Sequence, residues 1–244
     1  MTVDGYCTLG VDREFDLTED GLLEAMDRAE VDRAVIVPVD RCLAVRNREG
    51  NAEMRSTASR HHDRFIPACS VNPWYGEGAL DEMSRAVGDG ARILVLHPFV
   101  QGYQANDELV WPLLEAAGTA RLPVYVHTGP PGNATPWQVI DLVERFAETD
   151  LIIGHCGATD LWNDMVEAAK ASDRVSIESS LARPFQFYRY VEEAGQKKGI
   201  AGSYAPINDL AFEWSQMRKV LPRPLWDDVC GGNLLRLLEK RGAL

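Results

Sequence analysis

Leu122-Pro123-Val124-Tyr125-Val126-His127-Thr128-Gly129 is an apolar run about the length of one buried strand, and it ends on a histidine. The apolar residues are continuous rather than alternating, the pattern of a strand covered on both faces. A helix signature follows. Thr135-Pro136 opens a segment carrying Val139, Ile140, Leu142, Val143 and Phe146 at helical spacing, and proline suits a first helical turn. Leu151 to Cys156 then repeats the strand pattern, again with a histidine near its end.

The same unit recurs along the chain in both directions. Upstream lie Val3 to Leu9, Arg33 to Val39, Phe65 to Val71 and Ala91 to His97; Pro123 to Thr128 and Leu151 to Cys156 follow, then Val175 to Ser180 and Gly199 to Tyr204. Between them Thr18-Glu19-Asp20-Gly21 and Asn106-Asp107 open further segments with apolar residues at helical spacing. Parallel strands need crossovers, crossovers are right-handed, and eight successive units can close into a ring. The expected fold is therefore α/β, a single (β/α)8 TIM barrel, with an open doubly wound sheet as the alternative. No Gly-rich turn follows the first run and no GxxxxGK[ST] is present, which removes the usual reason to prefer the open sheet. No linker or low-complexity tract divides the chain, so residues 1–244 are expected to form one domain. Asn233 to Leu238 reads as an Asn-capped helix packed on the outside.

Composition narrows the function classes. Of 244 residues 45% are apolar and 25% charged, enough for a sizeable core and too ordinary for disorder. A net charge of −12 repels phosphate backbones and anionic membranes, so neither nucleic acid nor a membrane is an expected partner. No run approaches the roughly 20 apolar residues of a membrane span, and the start lacks the blocks of a signal peptide, which points to the cytoplasm. The five cysteines are scattered without a CxxC and read as reduced core thiols.

In a barrel the chemistry lies where the strands end. Tyr6 and Thr8 lie near the end of the first run, Asn72 just past the third, His97 ends the fourth, and His127, His155, Glu178 and Tyr204 stand at or near the ends of the fifth to eighth. Inward imidazoles on neighbouring strands, about 4.8 Å apart, can share a metal, a substrate carboxylate or a proton. His61 and His62 follow a helix and read as solvated. The loops Asn72-Pro73-Trp74-Tyr75, Pro98-Phe99-Val100-Gln101, Gly129-Pro130-Pro131-Gly132 and Asp160-Leu161-Trp162 supply apolar walls suited to a small molecule. Arg183 is placed to bind a carboxylate, whereas Arg189 reads as surface.

These segments resemble the amidohydrolase-related proteins, the branch of the metal-dependent hydrolase superfamily that also contains decarboxylases of small aromatic and carboxylic acids. Val3-Asp4-Gly5-Tyr6-Cys7-Thr8-Leu9-Gly10 is similar to the family's opening Asp-x-His-x-His-Leu-Gly. Leu96-His97-Pro98, Leu122 to Gly129, and Ile153-Gly154-His155-Cys156-Gly157 resemble its fourth, fifth and sixth strand signatures. Ala201-Gly202-Ser203-Tyr204-Ala205-Pro206 resembles its Gly-Ser-Asp-x-Pro, and Asn233 to Leu238 its closing helix. The resemblance implies a small-molecule substrate, a carboxylate or lactone, and commonly a homodimer. It also implies a metal held by the two first-strand histidines, His127, often His155, and the eighth-strand aspartate. Tyr6, Thr8 and Tyr204 stand at three of those positions, and neutral hydroxyls are poor divalent-metal ligands.

Three functions follow. The first is an enzyme without a tightly bound metal, in which His127 and His155 act as acid or base, Tyr6 and Tyr204 donate to an oxyanion, and His97, Thr8, Trp74, Phe99, Arg183 and Glu178 bind substrate. The second retains a divalent metal such as zinc on His127 and His155, with Glu178 added if it points inward. The third is a non-catalytic relative that binds a ligand or partner at the mouth.

Overall fold

The computed structural model describes residues 1–129, 132–157 and 164–240. Nine strands form one curled sheet in the order β2-β1-β3-β4-β5-β6-β7-β8-β9. They are β1 (Val3–Val11), β2 (Asp16–Leu17), β3 (Arg33–Pro38), β4 (Phe65–Ser70), β5 (Ile93–Leu96), β6 (Val124–His127), β7 (Leu151–Gly154), β8 (Val175–Glu178) and β9 (Gly199–Ile200). All neighbours pair in parallel except the short β2, which runs antiparallel to the end of β1. The ring closes between β9 and β1: Gly5 N donates to Ala201 O at 2.8 Å, Tyr204 N to Tyr6 O at 3.0 Å, and Thr8 N to Ala205 O at 2.7 Å. The eight expected runs are the eight parallel strands of an α/β barrel. Only β2 had no counterpart in the pattern, being two residues long.

Helices follow the strands, and local chemistry starts them where the composition suggested. Thr18 accepts from Gly21 N at 3.1 Å and caps the helix Glu19–Ala29. Thr135 and Gln138 form a reciprocal capping box on the helix Pro136–Arg145, with Pro136 in its first turn. Asp107 accepts from Leu109 N at 2.9 Å and starts a short 3₁₀ turn that leads into Trp111–Thr119.

Strand alternation splits the apolar residues into two cores. Leu94, Leu96, Val124, Val126, Leu151, Ile153, Val175 and Ile177 face outward against the helices. Val35, Val37, Ile66, Ala68, Ile93, Val95, Tyr125 and Ile152 fill the barrel interior. Cys7 belongs to the outward core, as alternation from Tyr6 requires. The helix Asn233–Glu239 departs from expectation. Its Leu234, Leu237 and Leu238 join the interior core beside Val3, so it stoppers the barrel instead of packing on its flank. Gly232, not Asn233, occupies the cap position, and the Asn233 amide donates to Gln196 O and Gly199 O at 2.8 and 2.7 Å. An asparagine before an apolar run reads as a cap; here its side chain satisfies the carbonyls of the turn entering β9. No helix among the described residues is long and apolar enough to cross a membrane.

Candidate active site

The carboxyl ends of β5, β6 and β7 bring three imidazoles into contact. His97 stacks on His127 with centroids 3.5 Å apart, and His155 Nε2 lies 3.0 Å from His127 Nδ1. Two of the three face inward by simple alternation, since His97 follows interior Val95 and His127 follows interior Tyr125. His155 does not. It lies two residues after outward Ile153 and would point away from the axis, but His155, Cys156 and Gly157 have φ of 56°, 52° and 73°. That left-handed run turns the chain so that the ring stands 3.9 Å from His127. Left-handed backbone costs a non-glycine residue about 1–2 kcal/mol, and such strain concentrates at functional sites. Tyr204, at φ 60°, is a further left-handed residue at the same mouth.

Glu178 points inward. Val175 and Ile177 pack outward, so alternation turns Glu178 to the interior, where it is fully buried. Its Oε2 accepts from Tyr125 OH at 2.7 Å, Ser180 Oγ at 2.8 Å and His155 N at 3.0 Å; Oε1 accepts from Ser180 N at 2.8 Å. Ser180 Oγ is in turn 2.6 Å from His155 Nδ1. Tyr6, one layer below Thr8, lies against Tyr125 at 4.7 Å and His155 at 5.2 Å, and the Tyr204 ring closes on His155 at 4.3 Å.

Burial sets the charge state. It drives His97 down to about 3, and it pushes His127 and His155 well below the usual imidazole range, helped for His127 by the facing His155 and His97 and for His155 by His97. The three rings are neutral at physiological pH. Burial raises the phenols, Tyr204 to about 12, so they remain O–H donors. It also lifts the Glu178 carboxyl, against four hydrogen bonds that favour the carboxylate.

The predicted residues thus divide. Tyr6, Thr8, His97, His127, His155, Glu178 and Tyr204 lie at the barrel mouth, all but Tyr204 buried. Trp74, Phe99 and Arg183 are exposed on the segments after β4, β5 and β8, at the rim and not among the imidazoles. Trp74 Nε1 donates to Gln101 O at 3.0 Å, which pins its loop. Asp160-Leu161-Trp162, Pro130 and Pro131 lie outside the described residues. Asn72 serves the scaffold, accepting from Trp74 N and donating to Ala44 O. Two residues escaped the sequence reading, Tyr125 and Ser180. Their signal was spacing, since each sits two positions from a polar strand-end residue, His127 and Glu178, and so shares its face.

A barrel with polar groups gathered at its carboxyl end is the architecture of a large class of enzymes. The sequence matches the amidohydrolase family over residues 11–221, and the chain belongs to that family. No curated protein matches it. Among solved structures, an uncharacterised TIM-barrel protein of Bordetella bronchiseptica superposes with a TM-score of 0.83 at 15% identity, covering 99% of each chain. The 2,6-dihydroxybenzoate decarboxylase of Rhizobium gives 0.82 at 12% identity over 99% of each chain. The 5-carboxyvanillate decarboxylase of Sphingomonas paucimobilis gives 0.78 at 16% over 98% of each. At these identities the likeness establishes the shared fold.

The resemblance to metal-dependent relatives raises the question of whether these residues fit a divalent ion, and they do not. Both ring nitrogens of His155 are engaged, one by Ser180 and one by His127. The 3.0 Å separation of His155 Nε2 and His127 Nδ1 is a hydrogen bond, shorter than the roughly 3.4 Å that two nitrogens on one tetrahedral zinc would keep. Both Glu178 oxygens are occupied by donors, and Tyr6, Thr8 and Tyr204 add only neutral hydroxyls, which are poor divalent-metal ligands. Among the described residues no group of three or more His, Cys, Asp or Glu is placed to hold a metal.

Proposed function

We propose that this amidohydrolase-family barrel is an acid–base enzyme of decarboxylase or hydrolase type that acts on a small carboxylate or lactone through its own imidazoles and phenols, without a tightly bound metal. The observation that carries the reading is the hydrogen bond between His127 and His155 inside a stack of three neutral rings walled by Tyr6 and Tyr204. His127 keeps 7% of its surface accessible whereas His155 keeps none, so His127 is the ring that meets the substrate.

A bound carboxylate brings a negative charge against His127, and that charge favours protonation of the neighbouring imidazole. In decarboxylation the bond from carbon to the carboxylate breaks, its electron pair stays on the carbon, protonated His127 delivers the proton there, and carbon dioxide leaves. In lactone hydrolysis neutral His127 takes a proton from water as the oxygen adds to the carbonyl carbon, and the phenols of Tyr6 and Tyr204 donate to the developing oxyanion; the intermediate then collapses, the ring C–O bond breaks, and the leaving alkoxide takes the proton from His127. Arg183 at the rim is a bidentate partner for a second carboxylate oxygen pair, and Trp74 and Phe99 offer apolar walls to an aromatic ring.

The test is a screen of hydroxybenzoates, related aryl carboxylates and small lactones with protein treated with chelator. The expected result is turnover that survives chelation and falls about 10²–10⁴-fold in His127→Ala. Turnover abolished by chelator and restored by zinc or manganese would overturn the metal-free mechanism, and binding without turnover across the screen would leave a ligand-binding barrel.

A further inference from the structure

Ser180 has a single hydroxyl proton and two strong partners, Glu178 Oε2 at 2.8 Å and His155 Nδ1 at 2.6 Å. Which partner receives that proton decides the direction of every hydrogen bond beyond it. Glu178 accepts from two backbone N–H groups, those of His155 at 3.0 Å and Ser180 at 2.8 Å, and from Tyr125 OH at 2.7 Å. Amide N–H groups can only donate, so Glu178 is built to accept, and the Ser180 proton points to it. The His155–Ser180 bond must then be donated by His155 Nδ1. A neutral imidazole has one N–H, so His155 Nε2 is left as an acceptor and the proton between the two rings belongs to His127 Nδ1. His127 Nε2 therefore holds a lone pair, and among the described residues it has no hydrogen-bond partner.

We propose that Ser180, anchored by Glu178, is the positioning residue that fixes His155 and His127 in their Nδ1–H tautomers and so leaves His127 Nε2 as the proton-accepting atom of the site. The inference deepens the acid–base reading above and rests on it for its catalytic meaning, while the tautomer assignment stands on geometry alone. The chain Glu178–Ser180–His155–His127 crosses three strands, with every member but His127 at 1% exposure or less. A carboxylate that orients an imidazole directly is a common device. Here the orientation passes through a hydroxyl and a second imidazole, and the left-handed backbone at His155 is what places that ring between Ser180 and His127.

The experiment is ¹⁵N spectroscopy of the histidine rings in intact protein labelled at its five histidines, at neutral pH. The expected wild-type result is one protonated Nδ1 and one unprotonated Nε2 for each of His127 and His155. Ser180→Ala should shift both rings toward the Nε2–H form or a mixture, and Ser180→Thr should restore the wild-type pattern. An Nε2–H ring at either position in the wild type, or unchanged ring shifts in a folded Ser180→Ala, overturns the proposal. The wild-type spectrum decides the tautomers even where a variant fails to fold, and it does so without turnover, so failure of the proposed reaction and failure of the relay are read separately. Where turnover is found, Ser180→Ala should lower kcat by about 10–100-fold with KM little changed.

Discussion

Gly202 faces Glu178 so closely that a methyl group on the glycine would overlap the Oε1 atom of the carboxylate. The glycine belongs to the loop between β9 and Tyr204, and its absent side chain is the space in which Glu178 folds back to meet the amide N–H of Ser180. Gly202→Ala should expel the carboxylate from its four donors or distort the β9–β1 closure at Tyr6. Overpacking of a fully buried site costs about 1–3 kcal/mol, with more added for each buried donor left unpaired. The expected outcome is a lowered urea midpoint with unchanged slope, together with loss of the wild-type ring tautomers at His127 and His155. A variant as stable as wild type would show that the pocket around Glu178 yields.

The three buried imidazoles also set an acid limit on stability. Their folded pKa values lie below the unfolded value near 6.5, with His97 at about 3, so their contribution is present above 6.5 and is lost as the pH falls toward the folded values. Each neutral imidazole contributes a slope of up to about 1.4 kcal/mol per pH unit below that point. Glu178 and Asp4, raised by burial, act in the opposite direction above their unfolded values and offset part of the slope. Urea midpoints measured from pH 7.5 to 5 should fall steadily below 6.5, and His97→Gln should flatten the fall. A midpoint independent of pH over that span would mean that the rings take up protons in the folded chain as readily as in the unfolded one.

How far the site could be read from the sequence follows from strand geometry. Continuous apolar runs are visible without a structure because buried parallel strands admit little else, and the inward facing of His97 and His127 follows from counting residues. Glu178 could have been placed in the same way, from Val175 and Ile177 on the opposite face. His155 could not, because a left-handed turn at a non-glycine residue leaves no mark in composition and reverses what alternation predicts. Asn233 failed for a different reason: an asparagine ahead of Leu234 and Leu235 satisfies the local rule for a cap, and only the position of the barrel's lower end shows that its partners are distant carbonyls. The rim residues Trp74, Phe99 and Arg183 were assigned by loop membership, which fixes the end of the barrel and not the distance from the imidazoles.

Carboxylate binding should be coupled to proton uptake. Three neutral rings with Tyr204 held near 12 leave the mouth with hydrogen-bond donors and no cation of its own, so an anion stabilises the protonated form of the nearest imidazole. Calorimetric titration of the protein with an aryl carboxylate that binds, in buffers of different ionisation enthalpy at pH 7.5, should show uptake approaching one proton per site, and His127→Ala should abolish it. Heats that do not depend on the buffer would mean that the carboxylate is met by the rim guanidinium of Arg183 and not by the imidazoles.

The position-by-position contrast with metal-binding relatives yields the last expectation. Motif resemblance alone would set histidine, histidine and aspartate where Tyr6, Thr8 and Tyr204 stand, and His127 and His155 are hydrogen-bonded to each other. A structural or catalytic zinc needs three or four anionic or imidazole donors converging at about 2.0–2.3 Å, and its binding energy must exceed that of the hydrogen bonds it displaces. Equilibrium dialysis of the wild-type chain against micromolar zinc or manganese should therefore retain well under one equivalent. The combined variant Tyr6→His, Thr8→His, Tyr204→Asp supplies three more donors and should retain close to one, at some loss of stability because the Tyr6 ring no longer packs on Tyr125. In that variant the ¹⁵N signature of the His127–His155 hydrogen bond should disappear on addition of the ion. Stoichiometric metal on the wild type, with the ring signature displaced in the same way, would show that His155 releases Ser180 and His127 readily and that the imidazole chain is a resting arrangement of a metal site.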